Sequence, residues 1–199
     1  AEFADEFDAG VLDPAWEWYA PAPGPVYELD GVDFILDVPT GDYDAWVGFD
    51  RAPRLRTASF ETDADFRIET RVLVEVPAGP QYYQTGLWVG FKGLDGDVID
   101  GWCYGFYSQP DWVGNYTIRA ERIGNWSPGA GSNFPVPWGF ADAHFKIERM
   151  GDQYSFYYKE NAADAWIPFH SVACAGQTVI DVGLFAKNWA ANAAISSSY

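Results

Sequence analysis

The chain is poor in the residues that carry most soluble chemistry. Its 199 residues include two cysteines, one methionine and two histidines, and 12 Lys and Arg stand against 29 Asp and Glu. Cys103 and Cys174 are too far apart for a CxxC redox or zinc pattern, so they are either two buried thiols or one disulfide. His144 and His170 are isolated, and no Ser or Cys stands in a nucleophile-elbow context. The formal charge of -17 argues against a nucleic-acid backbone or an anionic membrane as partner, because both would be repelled. No apolar run approaches the roughly 20 residues of a membrane-spanning helix. No charged segment with an apolar stretch behind it precedes Ala1, so the numbering reads as starting at a mature terminus. Nowhere do ten residues hold helical periodicity between breakers.

What is abundant is aromatic: 18% of the residues, ten of them Trp. That exceeds what a core requires, so some rings are expected on a surface that binds something, sugars first. The chain length fits a single domain spanning residues 1–199.

The most informative stretch is residues 66–91, FRIETRVLVEVPAGPQYYQTGLWVGF. Phe66, Ile68, Thr70, Val72, Val74 and Val76 alternate with Arg67, Glu69, Arg71 and Glu75, as in a half-buried strand. After Pro77, Gly79 and Pro80, a second run sets Leu87, Val89 and Phe91 against Gly86, Trp88 and Gly90. The two runs read as a hairpin, with Trp88 on the face opposite Leu87 and Val89 and glycines leaving space over its ring.

Further strands follow by the same alternation. VYELDGVDFILDV reads as a hairpin across Asp30-Gly31. Trp102, Tyr104 and Phe106 alternate with Cys103, Gly105 and Tyr107. NYTIRAER is a strand, residues 145–149 and 154–158 form a hairpin around Gly151-Asp152, and residues 166–172 and 178–187 supply two late strands. AEFADEFD at the start fits a short strand, with Phe3, Asp5 and Phe7 in phase. Residues 124–139, GNWSPGAGSNFPVPWG, are a long loop of the kind that is functional or mobile. A dozen short strands separated by turn signals every 8–12 residues are the pattern of an all-β, two-sheet antiparallel jelly-roll sandwich.

DEFDAGVLDPAWEWY, FRIETRV, YYQTGLWVGF and VGLFAKN, in that order, resemble the concanavalin A-like jelly-roll modules. The nearest look is of the C-terminal β-sandwich domain of family 43 β-xylosidases and of related domains of unclear function. The resemblance implies one concave sheet with sugar bound on it or in the loops at its rim, often with a structural calcium on the other side.

The candidate carbohydrate-binding residues are Trp88, Trp112, Trp126, Tyr83 and Gln84. Indole rings present flat apolar faces to the CH face of a pyranose, and Tyr83 and Gln84 offer directional hydrogen bonds to hydroxyls. Trp16, Trp46 and Trp166 are expected in the core or between the sheets. For calcium, Asp5 is a carboxylate in phase with Phe3 and Phe7, where an unpaired charge is costly. The resemblance would bring Asp181 near that first strand. Asp95, Asp97 and Asp100 form an acidic cluster that lacks the terminal Glu of an EF-hand. Asn115-Tyr116-Thr117 and Asn125-Trp126-Ser127 match the N-glycosylation pattern.

Catalysis in such a fold calls for paired carboxylates. Glu61, Asp63 and Asp65 precede a strand as a solvated turn, and Glu69 and Glu75 alternate with arginines that suit cross-strand ion pairing. The sequence is therefore expected to encode a secreted or cell-surface module, non-catalytic, binding neutral polysaccharide, with tethering to a catalytic module in view. The alternatives are a jelly-roll glycoside hydrolase and a protein-interaction or adhesion domain.

Overall fold

The computed structural model describes residues 5–46, 49–75, 81–92, 100–109, 114–124, 133–134, 141–192 and 194–199. Every regular element among them is a strand. In chain order these are β1 (Trp16–Tyr19), β2 (Val26–Leu29), β3 (Phe34–Val38), β4 (Gly41–Tyr43), β5 (Ala45–Trp46), β6 (Phe49–Asp50), β7 (Arg54–Thr57), β8 (Phe66–Glu75) and β9 (Tyr83–Phe91). Then come β10 (Gly101–Gln109), β11 (Gly114–Ile123), β12 (Asn133–Phe134), β13 (Asp142–Met150), β14 (Gln153–Lys159), β15 (Ile167–Ala173), β16 (Val179–Asn192) and β17 (Ile195–Ser198). The front sheet runs β1-β7-β16-β9-β10-β11-β12, with β4 also paired to β16, and the back sheet runs β15-β14-β13-β8-β17-β3-β2. All pairings within them are antiparallel. This is the jelly-roll sandwich expected.

Alternation explains which side of each strand closes the interior. Leu87, Val89 and Phe91 of β9, Trp102, Tyr104 and Phe106 of β10, and Leu184 and Ala186 of β16 face Phe145, Ile147, Tyr154 and Phe156 of the back sheet in one core. The rings interlock edge to face, Phe106 on Phe145 at 4.9 Å and Trp102 on Phe156 at 5.2 Å between centroids. Each such side chain contributes about 1.5–3 kcal/mol by leaving water. Gly31 and Gly151 supply the positive φ of the β2-β3 and β13-β14 turns, and Asp30 Oδ1 accepts the backbone N–H of Val32 and Asp33 at 2.8 Å.

Four expectations are corrected. The runs on either side of Pro77 are not a hairpin: β8 pairs β13 and β17 in the back sheet, while β9 pairs β10 and β16 in the front one. Alternation fixes which face of a strand is buried, but says nothing about which sheet the strand joins. Residues 5–10 hold no strand; Phe7 has φ 57° in a turn, and its ring still reaches the core. Trp46 is not a core residue but is 45% exposed. Trp166 packs against the Lys146 and Lys159 ammonium groups, with Lys146 on the outer side of the back sheet, rather than between the sheets. Both cysteines are buried free thiols, Cys103 on the outer face of the front sheet and Cys174 in the core, where Arg122 donates to its Sγ.

Candidate functional site

The outer face of the front sheet is built in rows set by strand register. One row crosses from Arg56 through Gly183, Trp88 and Cys103 to Glu121. The next holds Arg54, Phe185, Gly86, Gly105 and Arg119, and a third holds Lys187, Gln84, Tyr107 and Thr117. Glycines in the middle of this face keep the floor low. Above it folds the short antiparallel hairpin of β5 and β6, whose flanking Ala45 and Ala52 pack with Trp88, Cys103, Ile123 and Phe185.

Trp88 lies on the face opposite Leu87 and Val89, as its phase requires, but its ring is covered. A Cβ at Gly101 would stand 2.5 Å from Trp88 Cη2, and one at Gly90 would stand 2.9 Å from Nε1. The ring thus lies down on these two glycines. Its N–H donates to Asp181 Oδ1, and the Arg54 guanidinium covers it at 4.7 Å. Arg54 is held in turn by Asp50 at 2.6 Å. Space over glycine did not leave the ring open; it let the ring lie flat. At 3% exposure Trp88 is the hairpin's bed and not a stacking platform.

Tyr83 points to the core at 1% exposure, away from this face. Gln84 is on the face but 0% exposed, and its Nε2 donates to the carbonyls of Cys103 and Arg119. Trp112 and Trp126 lie outside the described residues, as do Asp95, Asp97 and Asn125.

Beside the Trp88 bed is a cleft of about 290 Å³ lined by Asp44, Trp46, Tyr107, Gln109, Arg119, Glu121, Lys187 and Trp189. Its floor is a closed ion network. Lys187 Nζ reaches Glu121 Oε2 at 3.0 Å, Asp44 Oδ1 at 3.2 Å and the Ala45 carbonyl at 3.2 Å, which uses all three of its N–H donors. Arg119 Nη2 pairs with the other Glu121 oxygen. The Lys187 ammonium stays charged because its two carboxylates hold its pKa up against the opposing effect of burial. Burial raises the Asp44 pKa even with Lys187 beside it. Burial also pushes the Tyr107 phenol up to about 12, so it acts as a neutral hydroxyl, and it donates to Gln109 Oε1.

The walls are aromatic. Lys187 Nζ lies 5.9 and 5.3 Å from the Trp46 and Trp189 ring centres, and Tyr107 packs tilted against Trp189 at 5.5 Å with Arg119 over its own ring at 4.5 Å. A retaining glycosidase needs one carboxylate free to attack and one able to hand over a proton. Here Asp44 and Glu121 share one ammonium, and both Glu121 oxygens are engaged by cations.

Most of the cleft was missed in the sequence. Asp44, Tyr107, Gln109, Arg119, Glu121, Lys187 and Trp189 carried no motif, though two signals were present. Lys187 interrupts the apolar run VGLFAKNW in phase with Phe185 and Trp189, and Arg119 and Glu121 alternate with the buried Ile118 and Ala120.

The expected calcium ligands are engaged elsewhere. Asp5 Oδ1 accepts the Phe7 N–H and Oδ2 the Trp16 indole N–H, both at 2.9 Å. Asp181 holds Trp88 on one oxygen and lies 3.6 Å from Arg56 on the other, and a guanidinium beside it disfavours a second cation. Asp100 makes a two-pronged pair with Arg122. Among the described residues no three His, Cys, Asp or Glu side chains converge as a metal cage.

No protein-family model matches the chain, and no curated protein matches it in sequence. Solved structures do match in fold. A functionally unknown protein from Saccharomyces cerevisiae superimposes with a TM-score of 0.67 at 14% identity, over 92% of this chain and 92% of that one. A family 43 glycoside hydrolase from Bacillus licheniformis gives 0.66 at 13% identity, covering 98% of this chain and 37% of the hydrolase. An immunostimulatory antigen and pseudo β-1,3-glucanase of Mycobacterium tuberculosis gives 0.63 at 15% identity, over 99% and 95% of the two chains. The likeness to the β-sandwich of family 43 xylosidases, first visible in the motifs, is thus a likeness of fold.

Proposed function

We propose that the chain is a non-catalytic carbohydrate-binding module that holds a neutral polysaccharide or oligosaccharide in the cleft between Trp46 and Trp189. The observation that carries this reading is the cleft itself, two indole walls over a floor whose charges cancel among Asp44, Lys187, Glu121 and Arg119. Indole faces match sugar CH faces, and Gln109 offers hydrogen-bonding atoms for hydroxyls at the rim. The fold's neighbours lend support, since they include a family 43 glycoside hydrolase and a pseudo β-1,3-glucanase. The chain spans 37% of the family 43 hydrolase's length, in keeping with a module tethered to a catalytic one. A secreted or cell-surface location suits such a ligand. Trp112 and Trp126 keep a proposed role as further rings at the rim.

A glycoside hydrolase is disfavoured by the capped state of Glu121. The test is direct: titrate the protein with β-1,4-xylan and β-1,3-glucan oligosaccharides and assay the same mixtures for new reducing ends. Saturable binding without new reducing ends is expected. Reducing ends that vanish in Glu121→Gln would establish the hydrolase instead. Binding to protein partners with no response to any glycan would favour an adhesion domain. Calcium is a separate proposal. An unfolding midpoint that rises from chelator to millimolar calcium would establish an ion bound to the native state, and loss of that rise in Asp5→Asn or Asp181→Asn would assign it to those carboxylates.

A further inference from the structure

Trp46 belongs to a two-residue strand, too short to hold a ring in place by its own ladder. What fixes it comes from the sheet below. Lys187, on β16, grips the residue before the hairpin through Asp44 Oδ1 and the first hairpin residue through the Ala45 carbonyl. Its third donor is anchored to Glu121 on β11, which Arg119 braces. On the returning strand, Arg54 of β7 grips Asp50, whose carboxylate also takes the Tyr19 hydroxyl at 3.2 Å. The next peptide closes the hairpin, with Arg51 N–H donating to the Asp44 carbonyl at 2.8 Å. Lys187 is 2% exposed, so this grip is made out of water, where an ion pair resists screening.

We propose that Lys187 is a positioning residue for the ligand cleft, acting as a latch that holds the β5-β6 hairpin, and with it the Trp46 wall, closed over the front sheet. The proposal rests on the cleft being the sugar site, and it adds how that site is assembled. Without the latch the wall is populated in its binding position only part of the time, and apparent affinity falls by that fraction. The Asp44 carboxylate is the link whose removal disturbs least, because Lys187 then keeps Glu121. Lys187→Met would leave Asp44 and one oxygen of the buried Glu121 without their cation and risks failing to fold.

The test uses Asp44→Asn, Trp46→Ala and the double variant. The readouts are affinity for β-1,4-xylan and β-1,3-glucan oligosaccharides, and trypsin cleavage after Arg51. Arg51 is exposed but the following Ala52 is buried under the closed hairpin, so the bond is cut when the hairpin lifts. Asp44→Asn is expected to speed the Arg51 cut, leave the urea midpoint and the cuts after Arg67 and Arg71 in place, and weaken binding about tenfold. In the Trp46→Ala background the same change is expected to weaken binding no further, because the wall it positions is gone. Multiplying losses, or an Arg51 bond as protected in Asp44→Asn as in the parent, would overturn the latch. A parent protein that binds neither oligosaccharide overturns the proposed function and not the latch, which the Arg51 cut still decides.

Discussion

The Trp88 indole N–H donates to the Asp181 carboxylate while the Arg54 guanidinium closes the ring's other side. A ring so enclosed holds the hairpin to the sheet rather than a ligand to the protein. Trp88→Ala is therefore expected to cost about 3–5 kcal/mol of folding stability through lost transfer energy and a residual cavity. Urea unfolding measures it. A stable Trp88→Ala protein with weakened sugar binding would place the stacking platform at Trp88 after all.

Trp46 should behave differently. At 45% exposure it buries about half of its surface, so Trp46→Ala should cost about 1–2 kcal/mol of stability, less than the loss at the enclosed Trp88. Glycan affinity should fall by about 1–3 kcal/mol, the magnitude of a base stacked on an aromatic side chain. Calorimetric titration alongside urea unfolding separates the two quantities. Unchanged affinity would remove Trp46 from the site.

The glycine bed can be probed without touching the indole. In Gly101→Ala the new methyl would meet the Val89 carbonyl oxygen and stand 2.5 Å from Trp88 Cη2, so both the β9 backbone and the ring must give, disturbing the contacts of Arg54 and Asp181 above it. A loss of about 1–3 kcal/mol is expected, as for other overpacked sites. Combining it with Trp88→Ala should remove the ring's share of that penalty and leave the clash with the Val89 carbonyl, and two costs that simply add would mean that the backbone alone is what the methyl meets.

Asp181 gives a pH signature. Burial raises its pKa, against the Trp88 hydrogen bond and the Arg54 and Arg56 charges that lower it, with Glu17 adding to the rise. An acid with a higher pKa in the native state holds its proton longer when folded. Between the two values the native state binds more protons, and stability falls as pH rises. From about pH 4 upward, parent stability should therefore drop relative to Asp181→Asn until the native value is passed. Paired unfolding midpoints across that range check this, and a constant difference would dismiss it.

The layers of the fold were legible because alternation is a local property. Val72, Leu87, Trp102 and Phe145 each declare an inward face from neighbours two residues away. Assigning β8 and β9 to different sheets was not legible, since it depends on partners such as β13 and β16 that lie far along the chain. The site was least legible for the same reason. Asp44, Glu121 and Lys187 look like scattered surface charges in the sequence; the β16-β9-β10-β11 register brings Lys187 and Glu121 onto one face, and the chain between β4 and β5 lays Asp44 over them. Trp46 is exposed and Trp88 covered, the reverse of the expectation, because strand phase and flanking glycines cannot tell a ring beneath a hairpin from one upon it.

The neutral floor of the cleft sits within a molecule of net charge -17. For an uncharged glycan the surrounding field does no work on approach, so the association rate should hardly respond to ionic strength. An acidic polysaccharide meets repulsion that reaches about 30 Å in dilute buffer and about 8 Å at physiological salt. The same cleft would then discriminate between neutral and acidic chains before any contact is made, and rising salt would erode that discrimination.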